Sequence, residues 1–538
     1  MDRITLEAVT AAAAGRMKAD LVLKNARVVD VFSHAVITGD IAVSRGYIAG
    51  IGSYEGHRQR DLKGAYVIPG LIDAHVHIES SLASPQQFAR AVIPYGTVSV
   101  IADPHEITNV LGEAGITYMN RSCADIPLKV HMMLPSCVPA TDFETSGSRL
   151  DARDTERLIQ WDELFGLGEM MAYPQVVTGE AEVLEKILAA HSANKPIDGH
   201  CPGLLDRDLS AYASAGILTD HESSTAEELR QRIARGMYVM LRNGSAARDL
   251  EQLLEGVDQF NARRCLFCTD DRQPADILDR GHINEHLRIA VSHGIDPITA
   301  VEMGTINAAQ CYGLKRQGAV APGYHADLVI VDDLTSFQVR DVYINGELTA
   351  SEGRMVQNIP HAAVTSADQS MHAKPLSPGD LDLYIPSRRA RVMKLMKHSL
   401  MTQLVERDVK TDDRGVFIGD PNHAVRKLVV VERHHSTGRI GCALVEGYTI
   451  TGGAIALSIA HDSHNIIAVG DNDQDIIAAV NQVIEDRGGI AIASGGKIQE
   501  TLALPIAGLM SELPIEAVRS SLDALDACAW NTLKVSED

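Results

Sequence analysis

From residue 69 to about 320, short apolar runs alternate with helical stretches, and this repetition limits the fold more than any other feature of the chain. The runs VSVIAD, KVHMML, GLGEMM, PIDGHC, GILTDHE, MYVMLR and CLFCTDD are separated by stretches such as AEVLEKILAAHSANK and AEELRQRIARG. Repeated βα units of this kind predict a parallel sheet. Eight such units in about 250 residues fit a (β/α)8 barrel better than an open, doubly wound sheet. In a barrel the chemistry sits at the C-terminal ends of the strands, so the polar residues that close the apolar runs are the ones to weigh.

The flanks have a different texture. Residues 20 to 68 hold β-branched runs (ADLVLKNARVVD, AVITGDIAVSRGYIAGIG, AYVIP) broken by Gly, Asn and Ser-His, which predict a small antiparallel β unit. The same pattern returns at 326 to 350, so one β domain is expected to be built from both sides of the barrel. The opening twenty residues predict an amphipathic helix. Residues 360 to 380 lack periodicity and are expected to form a linker or long surface loop. The organisation expected is therefore 1–68 and 323–360 for the β domain, 69–322 for the barrel, and 381–538 for a C-terminal α/β domain.

Composition narrows the function. Among 538 residues, 49 basic against 71 acidic side chains give a net charge of −22, which disfavours nucleic acid or an anionic membrane as partner. The 8 cysteines in so long a chain do not suggest a disulfide framework. The first residues carry charges throughout and do not form a secretory signal, and no apolar stretch is long enough to span a membrane. A cytoplasmic location is expected.

Asp73-Ala-His75-Val-His77 follows the run VIPGLI, and on a strand residues i and i+2 point the same way, so the two imidazoles project together as half of a divalent-metal site. An isolated pair of this kind is more often two surface histidines; here its place at the start of the βα region favours the site. Glu169 closes GLGEMM, a carboxylate inside an apolar run that is costly to bury unless paired or metal-bound. His200 closes PIDGHC, His221 closes GILTDHE and Asp270 closes CLFCTD. Cys265 and Cys268 share that last run, where their spacing puts the thiols on opposite faces as core residues.

This order of residues resembles the amidohydrolase superfamily, with HxH on strand 1, a bridging residue on strand 4, histidines on strands 5 and 6 and Asp on strand 8. Many members bridge two metals with a carboxylated lysine; here the residue is Glu169. Within the superfamily, HVHIESS, VIADPHEITNVLG, GEMMAYPQVV, DGHCPGL, TDHE, FCTDDR and the later GGAIALSIAHDSHNIIAVG resemble the adenine deaminase family. The resemblance implies hydrolysis of adenine to hypoxanthine and ammonia. It also implies a binuclear Mn2+ or Fe2+ centre, with Zn2+ as an alternative. The ligands would be His75, His77, Glu169 and Asp270 at one ion, and Glu169, His200 and His221 at the other. Asp270, Glu169 and His221 would be catalytic, with Glu169 the candidate acid at N1. His105, Glu106, Asp271 and His461 would line the substrate. A homodimer or larger homo-oligomer is expected.

Asp103, His105 and Glu106 follow the second barrel run and should reach the same mouth, to bind substrate, an extra metal or one another. His461-Asp462-Ser463-His464-Asn465 ends an apolar run and would either lean over the barrel as a lid or form a solvated turn. His434 and His435 are expected at the surface. Competing readings are a dihydroorotase- or allantoinase-like cyclic amidase, which usually carries the lysine bridge, and a scaffold that has lost its metal ligands.

Overall fold

The first helix, Arg3–Ala13, starts where the Asp2 carboxylate accepts the Thr5 N–H, and it lays Val9 and Ala12 on the sheet that follows. In this computed structural model, residues 1–359, 367, 369–396, 402–420, 422 and 424–535 are described. The sheet beneath the helix has nine strands drawn from both flanks. Tyr66–Pro69 joins them: it runs parallel to Ala19–Asp30 and antiparallel to Leu328–Val331. Its core holds Leu23, Val28, Ile41, Val67, Leu328 and Ile330.

The barrel strands are β1 (Leu71–Val76), β2 (Thr97–Ala102), β3 (Lys129–Leu134), β4 (Gly166–Met170), β5 (Ile197–Gly199), β6 (Thr219–Asp220), β7 (Tyr238–Arg242) and β8 (Cys265–Cys268). They form a five-stranded arc, β1 to β5, and a three-stranded arc, β6 to β8, each parallel throughout. Backbone bonds cross both seams. Leu218 N–H donates to Ile197 O at 3.2 Å between β5 and β6, and Asp270 N–H donates to His75 O at 3.0 Å between β8 and β1. Cys268 packs inside the barrel and Cys265 outside, as their spacing requires.

The C-terminal domain is an eight-stranded sheet between two helices. Asp473–Glu485 buries Ile476, Ala479 and Val480 on one face, and Ile515–Asn531 buries Val518, Leu525 and Ala529 on the other. It docks on the barrel where Ser511 N–H donates to Leu82 O at 2.8 Å. The expected linker at 360–380 is corrected in part: Leu376 sits in the core of this domain, and His372 N–H donates to Arg433 O at 2.8 Å. Residues 360–366 and 368 lie outside the described residues. No helix among the described residues is long and apolar enough to cross a membrane.

Candidate metal centre

A bulge explains why His75 and His77 both face into the barrel. On β1, Ile72 and Ala74 face the barrel interior with Ile101, Met133 and Met240, while Leu71 and Val76 face the helices. The register against β2 slips between Asp73 and Val76, so the inward row passes from Ala74 to His75 and then to His77. Their Nε2 atoms lie 3.1 Å apart.

Glu169, at the end of β4, takes one oxygen to each side of the mouth. Its Oε1 is 3.3 Å from His77 Nε2 and 3.1 Å from His105 Nδ1. Its Oε2 is 2.7 Å from His200 Nδ1 and 3.1 Å from His221 Nε2. Asp270 Oδ1 lies 3.1 Å from His77 Nε2, and His75 Nε2 stands 3.9 Å from both carboxylates. All but the half-buried His200 are buried. Gly168 is required here by space, because a Cβ would stand 2.1 Å from Asp103 Oδ2, which accepts the Glu169 N–H at 2.9 Å. Asp270 itself holds φ at 56°, a left-handed conformation uncommon outside glycine and a form of strain typical of functional sites.

The spacing suits a shared ion. Donors bonded to one ion at about 2.1 Å stand roughly 3.0 to 3.4 Å apart. His105 Nδ1, 3.1 Å from Glu169, is buried without an aligned hydrogen bond among the described residues. Donor atoms of His75, His77 and Asp270, and of His75, Glu169 and His221, each fall within 4.8 Å of one another. Without an ion the carboxylates draw protons to the imidazoles. Burial presses His221 toward neutrality, but the bond to Glu169 and the charges of Glu169, Asp270 and Glu222 lift it to about 10. Burial opposes ionisation of Glu169 as well, and the surrounding imidazoles outweigh it and hold that carboxyl well below its usual range.

Around this centre stand residues the sequence reading passed over. Asp198 on β5 takes the His75 Nδ1–H at 3.0 Å and the Tyr312 hydroxyl at 2.8 Å, with Thr219 a third donor. His77 Nδ1–H donates to Asp103 O at 2.9 Å. Both rings are thereby fixed with Nε2 toward the cluster. Arg242, at the end of β7, donates to Asp270 Oδ2 at 3.0 Å, to Asp249 at 2.9 Å and to Glu222. Asp198 and Arg242 are charged groups in apolar runs, the same signal that marked Glu169.

Of the expected site residues, His75, His77, Glu169, His200, His221 and Asp270 converge. His105, Glu106 and His461 meet beside them, so the 461–465 segment does reach the barrel mouth. Asp271 stands apart against Ser80; burial first and the Asp270 charge second push its carboxyl up. His434 corrects the surface expectation: it is buried, with Nε2–H donating to Ser463 O at 2.8 Å, while His435 is exposed.

A closed barrel with histidines and carboxylates at successive strand ends defines a metal-dependent hydrolase, and residues 66–349 match the amidohydrolase family. Residues 399–537 match the adenine deaminase C-terminal domain. The chain is 51% identical over 526 residues to an adenine deaminase of Nitratidesulfovibrio vulgaris, covering 98% of this chain and 91% of that one. It is 48% identical over 538 residues to adenine deaminase 2 of Desulfotalea psychrophila, covering 100% of this chain and 93% of that one. The chain belongs to the adenine deaminase family of amidohydrolases.

Proposed function

We propose that this enzyme hydrolyses the exocyclic amine of adenine, releasing ammonia and hypoxanthine. The observation that carries the reading is Glu169 held between His77 on one oxygen and His200 with His221 on the other, in a chain whose relatives over nearly full length are named adenine deaminases. His75, His77, Glu169 and Asp270 would hold one divalent ion, and Glu169, His200 and His221 a second. Nitrogen and oxygen donors without thiolate suit Mn2+ or Fe2+, and Zn2+ less selectively. Such ions supply hydroxide near neutral pH.

The protein's own groups do the rest. Asp270, with one oxygen tied to Arg242 and one facing the cluster, accepts the proton of the attacking water and returns it to the leaving amine. Attack at C6 places charge on the ring, which a donor at N1 must meet. Glu169 is a poor choice for that donor, since imidazoles surround both its oxygens. Asp271, the half-buried carboxyl next to Asp270, lies outside that ring of imidazoles, with one oxygen against Ser80, and is the alternative candidate. His105, Glu106 and His461 border the substrate. The Glu169 bridge favours this reading over a cyclic amidase.

Ammonia release from adenine and from adenosine by Mn2+-loaded protein tests the assignment, with Asp270→Asn as control. Turnover of adenine well above adenosine, lost by about 10³-fold or more in Asp270→Asn, is expected. A preference for adenosine, or no ammonia from adenine, would refute it.

A further inference from the structure

A second buried carboxylate repeats the Glu169 pattern where the barrel meets the C-terminal domain. Glu106, with its side chain 2% exposed, gives Oε2 to the Nε2–H of His464. Its Oε1 lies 2.9 Å from His461 Nδ1 and 3.0 Å from His105 Nε2, yet among the described residues it has no aligned hydrogen-bond donor. Asp462 Oδ1 is 3.8 Å from the same His105 nitrogen. Donor atoms of His105, Glu106 and Asp462 fall within 4.8 Å of one another.

We propose that Glu106, His105, His461 and Asp462 form a further divalent-cation site, separate from the barrel pair, which ties the C-terminal domain to the barrel mouth. Contacts near 3 Å without hydrogen-bond alignment are the spacing of ligands around one ion, at roughly 3.0 to 3.4 Å. Two imidazole nitrogens and two carboxylate oxygens suit a first-row transition ion better than Ca2+ or Mg2+. His105 faces the barrel pair through Nδ1 and this site through Nε2, so the two sites adjoin without sharing a donor atom.

The loop that carries half of the donors is held in place. Arg433, fully buried, donates to His464 O and, at 2.9 Å, to Ala507 O. Asn465 Nδ2–H donates to Thr145 O at 2.9 Å across the domain junction. Asp462 is 28% exposed, which leaves the site open to exchange with solvent, unlike the enclosed barrel pair.

The competing state is an ion-free cluster in which charged imidazoles pair with Glu106. Titration of metal-stripped protein with Mn2+, with free Mn2+ counted by electron paramagnetic resonance, separates the two. Glu106→Gln and Asp462→Asn are each expected to bind one equivalent fewer than the unmodified protein. The difference is read and not the total, so a barrel holding one ion instead of two would lower all three alike. Equal equivalents in all three proteins would overturn the proposal. Should Glu106→Gln fail to fold or lose every ion, Asp462→Asn at the partly exposed position decides: one fewer supports the site, none fewer refutes it.

Discussion

Glu169 and Glu106 are both buried carboxylates ringed by imidazoles, but they are assembled in different ways. Every partner of Glu169 comes from the barrel, from β1, the segment after β2, and the ends of β5 and β6. Glu106 depends on His461 and His464, which belong to another domain more than 350 residues away. A site on the strand ends of one closed barrel is positioned by the same hydrogen bonds that close the barrel. A site across a domain junction needs its own supports, and Arg433, whose guanidinium donates to the backbone carbonyls of His464, Ser370 and Ala507, is such a support. The first arrangement suits chemistry that requires fixed donors. The second suits a contact that couples the two domains.

The two carboxylates differ most at Glu169. Glu169→Gln is expected to lower adenine turnover by about 10³-fold or more, because it weakens both halves of the pair at once. Glu106→Gln leaves those ligands in place and is expected to cost about 10- to 100-fold. Steady-state rates on the two variants check this, and equal losses would merge the two sites into one functional unit.

Next in size is Asp198→Asn, which keeps the volume but removes the carboxylate that orients His75. It is expected to weaken metal binding by about 10- to 100-fold with the fold intact, as read by calorimetric titration of the metal-free protein.

The smallest effect belongs to His434, on the C-terminal side. Burial, with the Arg433 charge adding to it, pushes this imidazole down to about 3. The unfolded chain takes up the proton near pH 6.5, the folded one only near 3, so the unfolded state binds more protons between those values. Stability is thus full above about pH 6.5 and falls as the pH drops, by at most about 1.4 kcal/mol per unit from this group. His434→Gln, which keeps a donor for Ser463 O, should flatten the fall in melting temperature between pH 7 and 5. An unchanged slope would mean that other groups set it.

The barrel was legible because each βα unit repeats one pattern and each site residue closes an apolar run. Asp198 and Arg242 obey the same rule, but nothing in residue type marks a side chain that orients a ligand instead of binding the metal. The β1 bulge left no trace in residue types: simple alternation and a bulge both put His75 and His77 together, and only the register tells them apart. Spacing along the chain says nothing about the distance from residue 106 to residue 461; only the family resemblance groups His105, Glu106 and His461, as residues lining the substrate, with the polar HDSHN segment after an apolar run as the hint of a lid. An adjacent pair of histidines after a strand looks solvated in the sequence, whereas the 461–465 segment covers His434.

The central claim is that the residues around Glu169 act through bound metal on adenine. Its most direct test strips the protein of metal, follows conversion of adenine to hypoxanthine by absorbance, and then restores Mn2+ under reducing conditions. No turnover is expected in the stripped protein, with recovery as Mn2+ fills the barrel site. Turnover that survives complete removal of metal, or a fully loaded protein inert towards adenine, would contradict it.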